Sequence, residues 1–584
     1  MNRKKNRISI LIYAGVHSMA LILMLGCSTK QEWDDFFRVN QDKGQQPSAA
    51  AREVSRSPAI RDTIAPLVTL EGMRLNQVRG FGIVTDLVDT GGRDGPEPVK
   101  DYLFKEIQRK QDPSRPGPLP QEFLNSKDVC MVELTGFIPA GAQKGDRFDI
   151  AIKSLGSEAT SIVGGRLFLG ELKVWAETPS GVLSGATLAT ASGPVFVSPF
   201  NRIGKPTDKV DLTTGLVLGG GLVTENRKIR LVLNDPSPSV AKRMERELNS
   251  RYEGLKRVAE GERASHVALN IPTEFLNRKW FFLNRVLHTP MNSNSDFIFR
   301  RTKELVQAFD EPDPDYESLA SALESIGKSA LPQMEVLFNS ETPGVGFYSS
   351  RTGLRLGNRQ ALEVVTRHAF DEKSEFREQA IEELGWATNQ YVAGESLKAL
   401  LNDADKEIRI RAYRALSRRS HPAISTKLLD RDNVILDVVE STGPFLIYAR
   451  RSGMPRITIF GREAAVRTPA IFPGERNDGR KFITQLSAQA GDDHLTFIFH
   501  NKRNKVNSPP LKAPLNVAEL VEFLCDSPRR LNNGEMSGFA VPYSEMLDIL
   551  STFCEMQTLP AEFVLEGLED KEDQESNERE ESEY

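Results

Sequence analysis

Between residues 62 and 289 the chain is a run of short β-like segments broken by glycine and proline, and this texture limits the fold more than any other feature. Segments 129–134, 147–152, 165–169, 195–197 and 229–233 have the length and apolar content of strands. Turn residues separate them, as in Pro139-Ala140-Gly141 and Lys144-Gly145-Asp146. One helix is expected at 237–252, with Ser239 placed to cap it and Val240, Met244 and Leu248 at helical spacing. Residues 62–290 therefore read as an α+β domain dominated by strands.

The period changes to helical over residues 300–422, and a repeat appears there. "FREQAIEELG" from Phe376 and "IRIRAYRALS" from Ile408 superpose at a shift of about 32 residues. "ALPQMEVLF" from Ala330 and "TGLRLGN" from Thr352 read as a degenerate earlier unit. Paired short helices with Leu and Ala inside, and arginines after an acidic turn, resemble HEAT-like repeats. That resemblance implies a short α-solenoid that holds a partner, with the Asp403 and Asp405 turn packed against Arg409 and Arg411 of the next helix.

Residues 426–565 read as a further α+β domain. Segments 445–449 and 456–460 flank "RRSGMP" as a hairpin, 495–499 is a strand, and 517–525 and 543–556 are amphipathic helices. Residues 566–584 form an acidic tail whose composition suits solvation rather than a core. With 584 residues, several domains are expected, and a net charge of -5 gives no support to a nucleic-acid partner.

Arg3, Lys4, Lys5 and Arg7 precede a mostly apolar stretch, 8–25, that ends in Met24-Leu25-Gly26-Cys27-Ser28. A small residue before cysteine at that place is the pattern of a bacterial lipoprotein signal, 1–26, with Cys27 as the lipid-bearing first residue. The same stretch is also long enough for an uncleaved membrane anchor, and both readings place the bulk of the protein outside the cytoplasm. Ser28 suits sorting to an outer membrane, and residues 27–61 read as a flexible tether. Of the other three cysteines, Cys130 falls in a strand, while Cys525 and Cys554 are expected as buried thiols or as a pair.

"GMRLNQVRGFGIVTDLVDTGG", residues 72–92, imitates a phosphate loop but fails the dinucleotide spacing. The third glycine would fall at Thr85, and no helix-forming segment follows. Gly327-Lys328-Ser329 fails the P-loop test, because Ala322 stands where the first glycine belongs. No two histidines stand at metal-ligand spacing, and His494 and His500 flank a strand. The sequence contains no G-x-S-x-G elbow. No catalytic residue, metal or cofactor is expected, and no enzyme. "KRNK" at 502–505 reads as a basic loop.

The glycine-rich domain resembles the bacterial flagellar P-ring protein family. In 70–92, Gly72, Arg74, Asn76, Gly80, Gly82, Leu87, Thr90 and Gly91 match its opening signature. In 127–173, Pro139, Gly145, Asp146, Asp149, Ser154, Gly156, Ser161, Gly164, Gly165 and Leu172 match a second block. "ATASGPVFV" at 189–197 and the segment 219–249 complete four colinear blocks. The resemblance implies a non-enzymatic periplasmic subunit that forms a homo-oligomeric ring around the flagellar rod, beside the L-ring proteins and within the peptidoglycan layer. A fainter likeness of 540–568 to the family's closing segment implies that the HEAT-like part is an insertion.

Overall fold

A computed structural model describes residues 58–110, 120–178, 181–200, 211–252, 255–388, 390–430, 433–472, 483–501, 506–530 and 536–566. The signal segment with Cys27, most of the tether, the 502–505 basic loop and nearly all of the acidic tail lie outside them.

The first part of the chain builds a barrel beside a smaller sheet. β1 (Val68–Glu71) and β2 (Asn76–Thr85) precede helices α1 (Glu97–Lys110) and α2 (Pro120–Leu124). β3 (Cys130–Ile138), β4 (Arg147–Ser154), β5 (Arg166–Thr178), β6 (Gly181–Pro194) and β7 (Thr214–Val223) follow. With β2 they close a barrel in the order β2-β3-β4-β7-β6-β5, every neighbouring pair antiparallel. Closure removes free strand edges. Inward-facing Val78, Leu134, Ile150, Ile152, Leu172 and Val217 are buried as the barrel core, following the period of two that puts alternate side chains on one face.

β1 instead pairs with β8 (Ile229–Leu233), which continues to β10 (His266–Leu269) and β9 (Ala259–Arg263) after helix α3 (Pro238–Arg251). Met244 and Leu248 of α3 share one buried core with Leu231 and Val267 of this sheet. Ser237, not Ser239, is the N-cap, because Pro238 occupies the first turn and fixes the entry there. Segment 195–197 is not a strand: β6 ends at Pro194, and only Phe196 makes an isolated bridge, to Leu216.

Helices then run from α4 (Lys279–Leu287) and α5 (Ser295–Ala308) through α6 (Tyr316–Ile326), α7 (Leu331–Met334), α8 (Pro343–Arg355), α9 (Arg359–Phe370), α10 (Arg377–Leu384) and α11 (Gln390–Leu400) to α12 (Lys406–Ser417). The 32-residue shift has a physical counterpart. Arg377 Nε donates to the Ala369 carbonyl at 3.3 Å, and Arg409 Nε donates to the Leu401 carbonyl at 3.1 Å, each bond reaching back eight positions. The expected packing of Asp403 on Arg409 and Arg411 is replaced by a backward contact: Arg377 of the preceding unit donates to Asp403 at 2.5 Å. Arg409 is drawn away to the Pro444 carbonyl at 2.7 Å, and Arg411 pairs with Glu378 and Glu382. Asp405 caps α12 by accepting from the Glu407 amide at 2.8 Å. Asp405→Ala is expected to cost about 1 kcal/mol, read as a lowered denaturant midpoint with an unchanged m-value.

The last part contains β11 (Ile424–Leu429), β12 (Val434–Val439), β13 (Phe445–Ala449), β14 (Arg456–Phe460), β15 (Ala470–Phe472), β16 (Ile483–Ala488), β17 (Leu495–Asn501), β18 (Val506–Asn507) and β19 (Leu511–Ala513). It closes with α13 (Val517–Cys525), β20 (Arg529–Arg530), β21 (Met536–Ser537), α14 (Tyr543–Glu555) and β22 (Ala561–Leu565). β13 and β14 form the expected hairpin, and β22 adds in parallel to β13. In this sheet buried Asp437 accepts from Tyr413 at 2.5 Å, from Thr426 at 2.6 Å and from Arg456. Cys130, Cys525 and Cys554 are free thiols. His500 lies within β17 rather than beside it. The architecture is α+β.

Candidate functional site

Gly72, Gly80 and Gly91 of the signature sit where two backbones come too close for a side chain. A Cβ on Gly80 of β2 would lie 2.0 Å from the Glu171 carbonyl oxygen of β5, on the seam that closes the barrel. Gly82 pairs with Val132 on one side and Gly170 on the other. Gly170 in turn leaves room for Leu134, whose Cδ1 would be 2.0 Å from an added Cβ. Gly72, at φ +90, passes against the Lys228 carbonyl, and Gly165 against Val84 and Leu87.

The loop after β2 is strapped to its surroundings through its own amides. Leu87 N donates to Asp128 O at 3.1 Å, Gly91 N to Lys127 O at 2.8 Å and Gly92 N to Val129 O at 3.0 Å. Thr90 N donates to Leu87 O, and the Asp89 and Arg93 amides are taken by the carboxylates of Asp128 and Glu158. The Thr90 hydroxyl donates to Leu87 O at 2.7 Å and Ser161 O at 3.0 Å, while the Thr90 carbonyl accepts from Thr160 and Ser161. An anion cradle needs amides free to point at a ligand. These are committed to the protein, and the next helix, α1, starts only at Glu97.

The remaining signature residues lie at separate turns. Gly145, at φ +96, donates to Val223 O at 2.9 Å, and Asp146 accepts from the Gln143 amide at 3.0 Å with Lys279 of α4 at 3.5 Å. Gly164 has φ +72. Asn76 opens β2 opposite Ile138. Arg74 is exposed, and its carbonyl accepts from Arg227 at 2.7 Å. These residues do not converge on one pocket. Among the described residues no group of His, Cys, Asp and Glu could hold a metal ion.

Asp149 is different. Its carboxylate is half-buried between the barrel and the β13–β14 turn, accepting from the Gly219 amide at 2.6 Å and the Gly453 amide at 2.9 Å. Burial pushes its carboxyl above the ordinary value, against these two hydrogen bonds and the Arg450 charge. Close by, Phe196 packs on Tyr543 at 5.7 Å between ring centroids, and Phe200 packs on Phe563 at the same distance. The chain thus leaves the first domain, runs through the helices and returns to the barrel.

Two anchors escaped the sequence reading. Asp94 accepts from the Ser157 amide at 2.5 Å and hydroxyl at 2.9 Å and from the Glu158 amide at 3.1 Å; those bonds outweigh desolvation and hold its carboxyl below the ordinary range. Arg227 spans the Ile138, Pro139 and Arg74 carbonyls, each at 2.7 Å. The only local sign of Asp94 is an acid two positions after the paired glycines Gly91 and Gly92, and it faces a Gly-Ser-Glu turn far along the chain.

The model of the family described as flagellar P-ring protein matches residues 63–298. Residues 63–298 are a flagellar P-ring protein domain. A flagellar P-ring protein of Geobacter metallireducens is 28% identical over 230 residues, covering 38% of this chain and 59% of its own length. Flagellar P-ring protein 1 of Bradyrhizobium diazoefficiens is 29% identical over 249 residues (41% and 62%), and that of Caulobacter vibrioides 27% over 217 residues (35% and 55%). The chain therefore spans less than two thirds of these relatives' length. A solved complex of CpcE and CpcF of phycocyanin lyase from Nostoc sp. PCC7120 aligns at 26% identity over 20% of this chain and 78% of that one, with a TM-score of 0.19, too low to show a shared fold. The P-ring domain thus comprises the barrel, the β1-β8-β10-β9 sheet, α4 and the start of α5. Asp149 ties it to the part of the chain beyond residue 298.

Proposed function

We propose that this chain is a non-enzymatic structural subunit of the bacterial flagellar basal body, built into a periplasmic P-ring around the rod and needed for motility. The observation that carries this reading is the P-ring domain itself, with its signature residues engaged as framework. Gly80 and Gly91 allow close backbone approach, Gly165 leaves room for the Val84 and Leu87 side chains, and Thr90 and Asp146 tie turns down. Such positions suit a rigid body that must present two complementary faces to successive copies in a closed ring.

On this reading the partners are further copies of the chain, the rod and the L-ring proteins, with peptidoglycan around the ring. The lipoprotein pattern at Cys27 supports a lipid anchor in the outer membrane. Among the described residues no helix is long and apolar enough to cross a membrane. The helical repeats and the last domain are braces for the ring or contacts to the envelope, in keeping with their return to the barrel at Asp149.

Deleting the coding region in frame is expected to give non-swimming cells whose isolated basal bodies lack one ring. Normal swimming after deletion, or absence of the protein from purified wild-type basal bodies, would sink the proposal.

A further inference from the structure

The P-ring domain meets helix α6 around one buried histidine. His288 caps the C-terminal end of α4, inside the matched 63–298 stretch, whereas α6 lies beyond it. The Ser325 hydroxyl of α6 donates to the His288 carbonyl at 2.7 Å. Arg251, the last residue of α3, donates to the Ser325 carbonyl and, at 3.2 Å, to the Ile326 carbonyl. Those carbonyls belong to the last turn of α6, which has no amides of its own to offer them and where a cation is favoured. Two elements of the P-ring domain thus hold the same end of α6.

The closed joint offers no acceptor for a second proton on the imidazole. Nδ1 lies 2.7 Å from the Asn284 carbonyl, one turn back on α4, so Nδ1 bears the hydrogen and Nε2 the lone pair. Nε2 is buried and, among the described residues, has no hydrogen-bond partner. Burial holds the imidazole below its ordinary value of 6.5, outweighing the Asn284 carbonyl and the charges of Asp315, Glu324 and Glu317 on the α6 side. Each of these acids is already engaged: Glu317 with Arg351 and Glu324 with Arg355, both at 2.7 Å, and Asp315 with the Ser318 amide at 3.0 Å. From α3 and α4, Arg251 and Arg285 bring positive charge beside Tyr252.

A proton on Nε2 would make a charged, buried N–H with nothing to receive it, and such a group is stable only where water or an acceptor reaches it. Glu324 Oε2 is likewise buried without a partner, but Arg355 fixes the other oxygen of that carboxylate. The cheaper response is for the end of α6 to part from α4 and admit water to the ring.

We propose that His288 is a proton-sensitive latch between the P-ring domain and the helical repeats, closed while its ring is neutral and released when Nε2 takes a proton. The latch does not depend on the chain's building a ring. In the open joint the imidazole is hydrated and titrates near 6.5, so the open form binds the proton more tightly than the closed one. Closure is at full strength above 6.5 and weakens as pH falls from there through the lowered value of the closed state.

Hydrogen exchange in the full chain tests this, with peptides covering 284–291 and 320–327 referred to barrel-core peptides at the same pH to cancel the intrinsic pH dependence of exchange. That ratio should rise roughly tenfold between about pH 7.5 and about pH 5.5, as a hydrated imidazole in the open joint requires. In H288N, whose side-chain amide keeps a donor for the Asn284 carbonyl, the ratio should stay flat. Peptides around Gly453, at the Asp149 joint, should not follow in either chain. Should H288N not fold, as judged by its melting curve, the wild-type profile decides alone. An unchanged wild-type ratio, an equal rise around Gly453, or the same rise in H288N would overturn the proposal. So would slower exchange in acid, which would mean that Glu324 accepts from the protonated ring and tightens the joint.

Discussion

Gly80→Val should destabilise the P-ring domain by at least about 3 kcal/mol and lower its melting temperature by about 10 °C. The first carbon of any side chain at this position would lie 2.0 Å from the Glu171 carbonyl oxygen and 3.1 Å from its carbonyl carbon. Both are backbone atoms on a paired strand, so relief requires β2 and β5 to separate at the seam that closes the barrel. Exposed strand edges would follow, and with them association between chains. The control is Gly145→Ala. Gly145, unlike Gly80, has a positive φ, +96, and nothing lies within 4 Å of an added Cβ. Only backbone strain opposes that change, about 1–2 kcal/mol. If thermal melting shows equal losses for the two variants, the close-approach account of the signature is wrong.

The contrast marks what could be read from the residues alone. Most strand segments, 195–197 excepted, the β13–β14 hairpin around "RRSGMP" and the helical character of 300–422 were legible because each is a local pattern of apolar spacing and turn chemistry. The signature positions were legible only as a resemblance, since a sequence does not say which backbone comes near a glycine. Barrel closure between β2 and β5 joins segments whose local patterns do not name each other. Local pairing of charges misled in the repeats: Asp403 looks forward to Arg409 by sequence, whereas the stacking of successive units brings Arg377 to it first. The Ser237 cap was missed by two residues, because Ser239 is equally suited chemically and only Pro238 decides between them.

Asp149→Ala should loosen the joint between the P-ring domain and the rest of the chain, at a cost of about 3 kcal/mol. The Asp149 carboxylate is the acceptor for the Gly219 and Gly453 amides, which lie 234 positions apart, the second 304 positions from Asp149 itself. Removing it leaves two amide donors facing a space too tight for easy hydration: a Cβ on Gly219 would already touch Met454 Sδ at 3.1 Å. Hydrogen exchange at the Gly219 and Gly453 amides should speed up together, ahead of exchange in the barrel core. Asp149→Asn keeps an acceptor oxygen and is expected to lose only about 1 kcal/mol. The two variants also differ from the parent in pH response. Burial raises the native carboxyl above its ordinary value of 3.8, so the native state binds the proton more tightly than the unfolded chain does. The stability due to this linkage is fully present below 3.8 and is lost as pH rises from there through the raised native value. Both variants lack this dependence, and the stability difference between parent and Asp149→Asn should therefore shift in the parent's favour as pH is lowered through that window. An unchanged difference across it would mean that Asp149 stays charged in the joint, held by the two amides and Arg450.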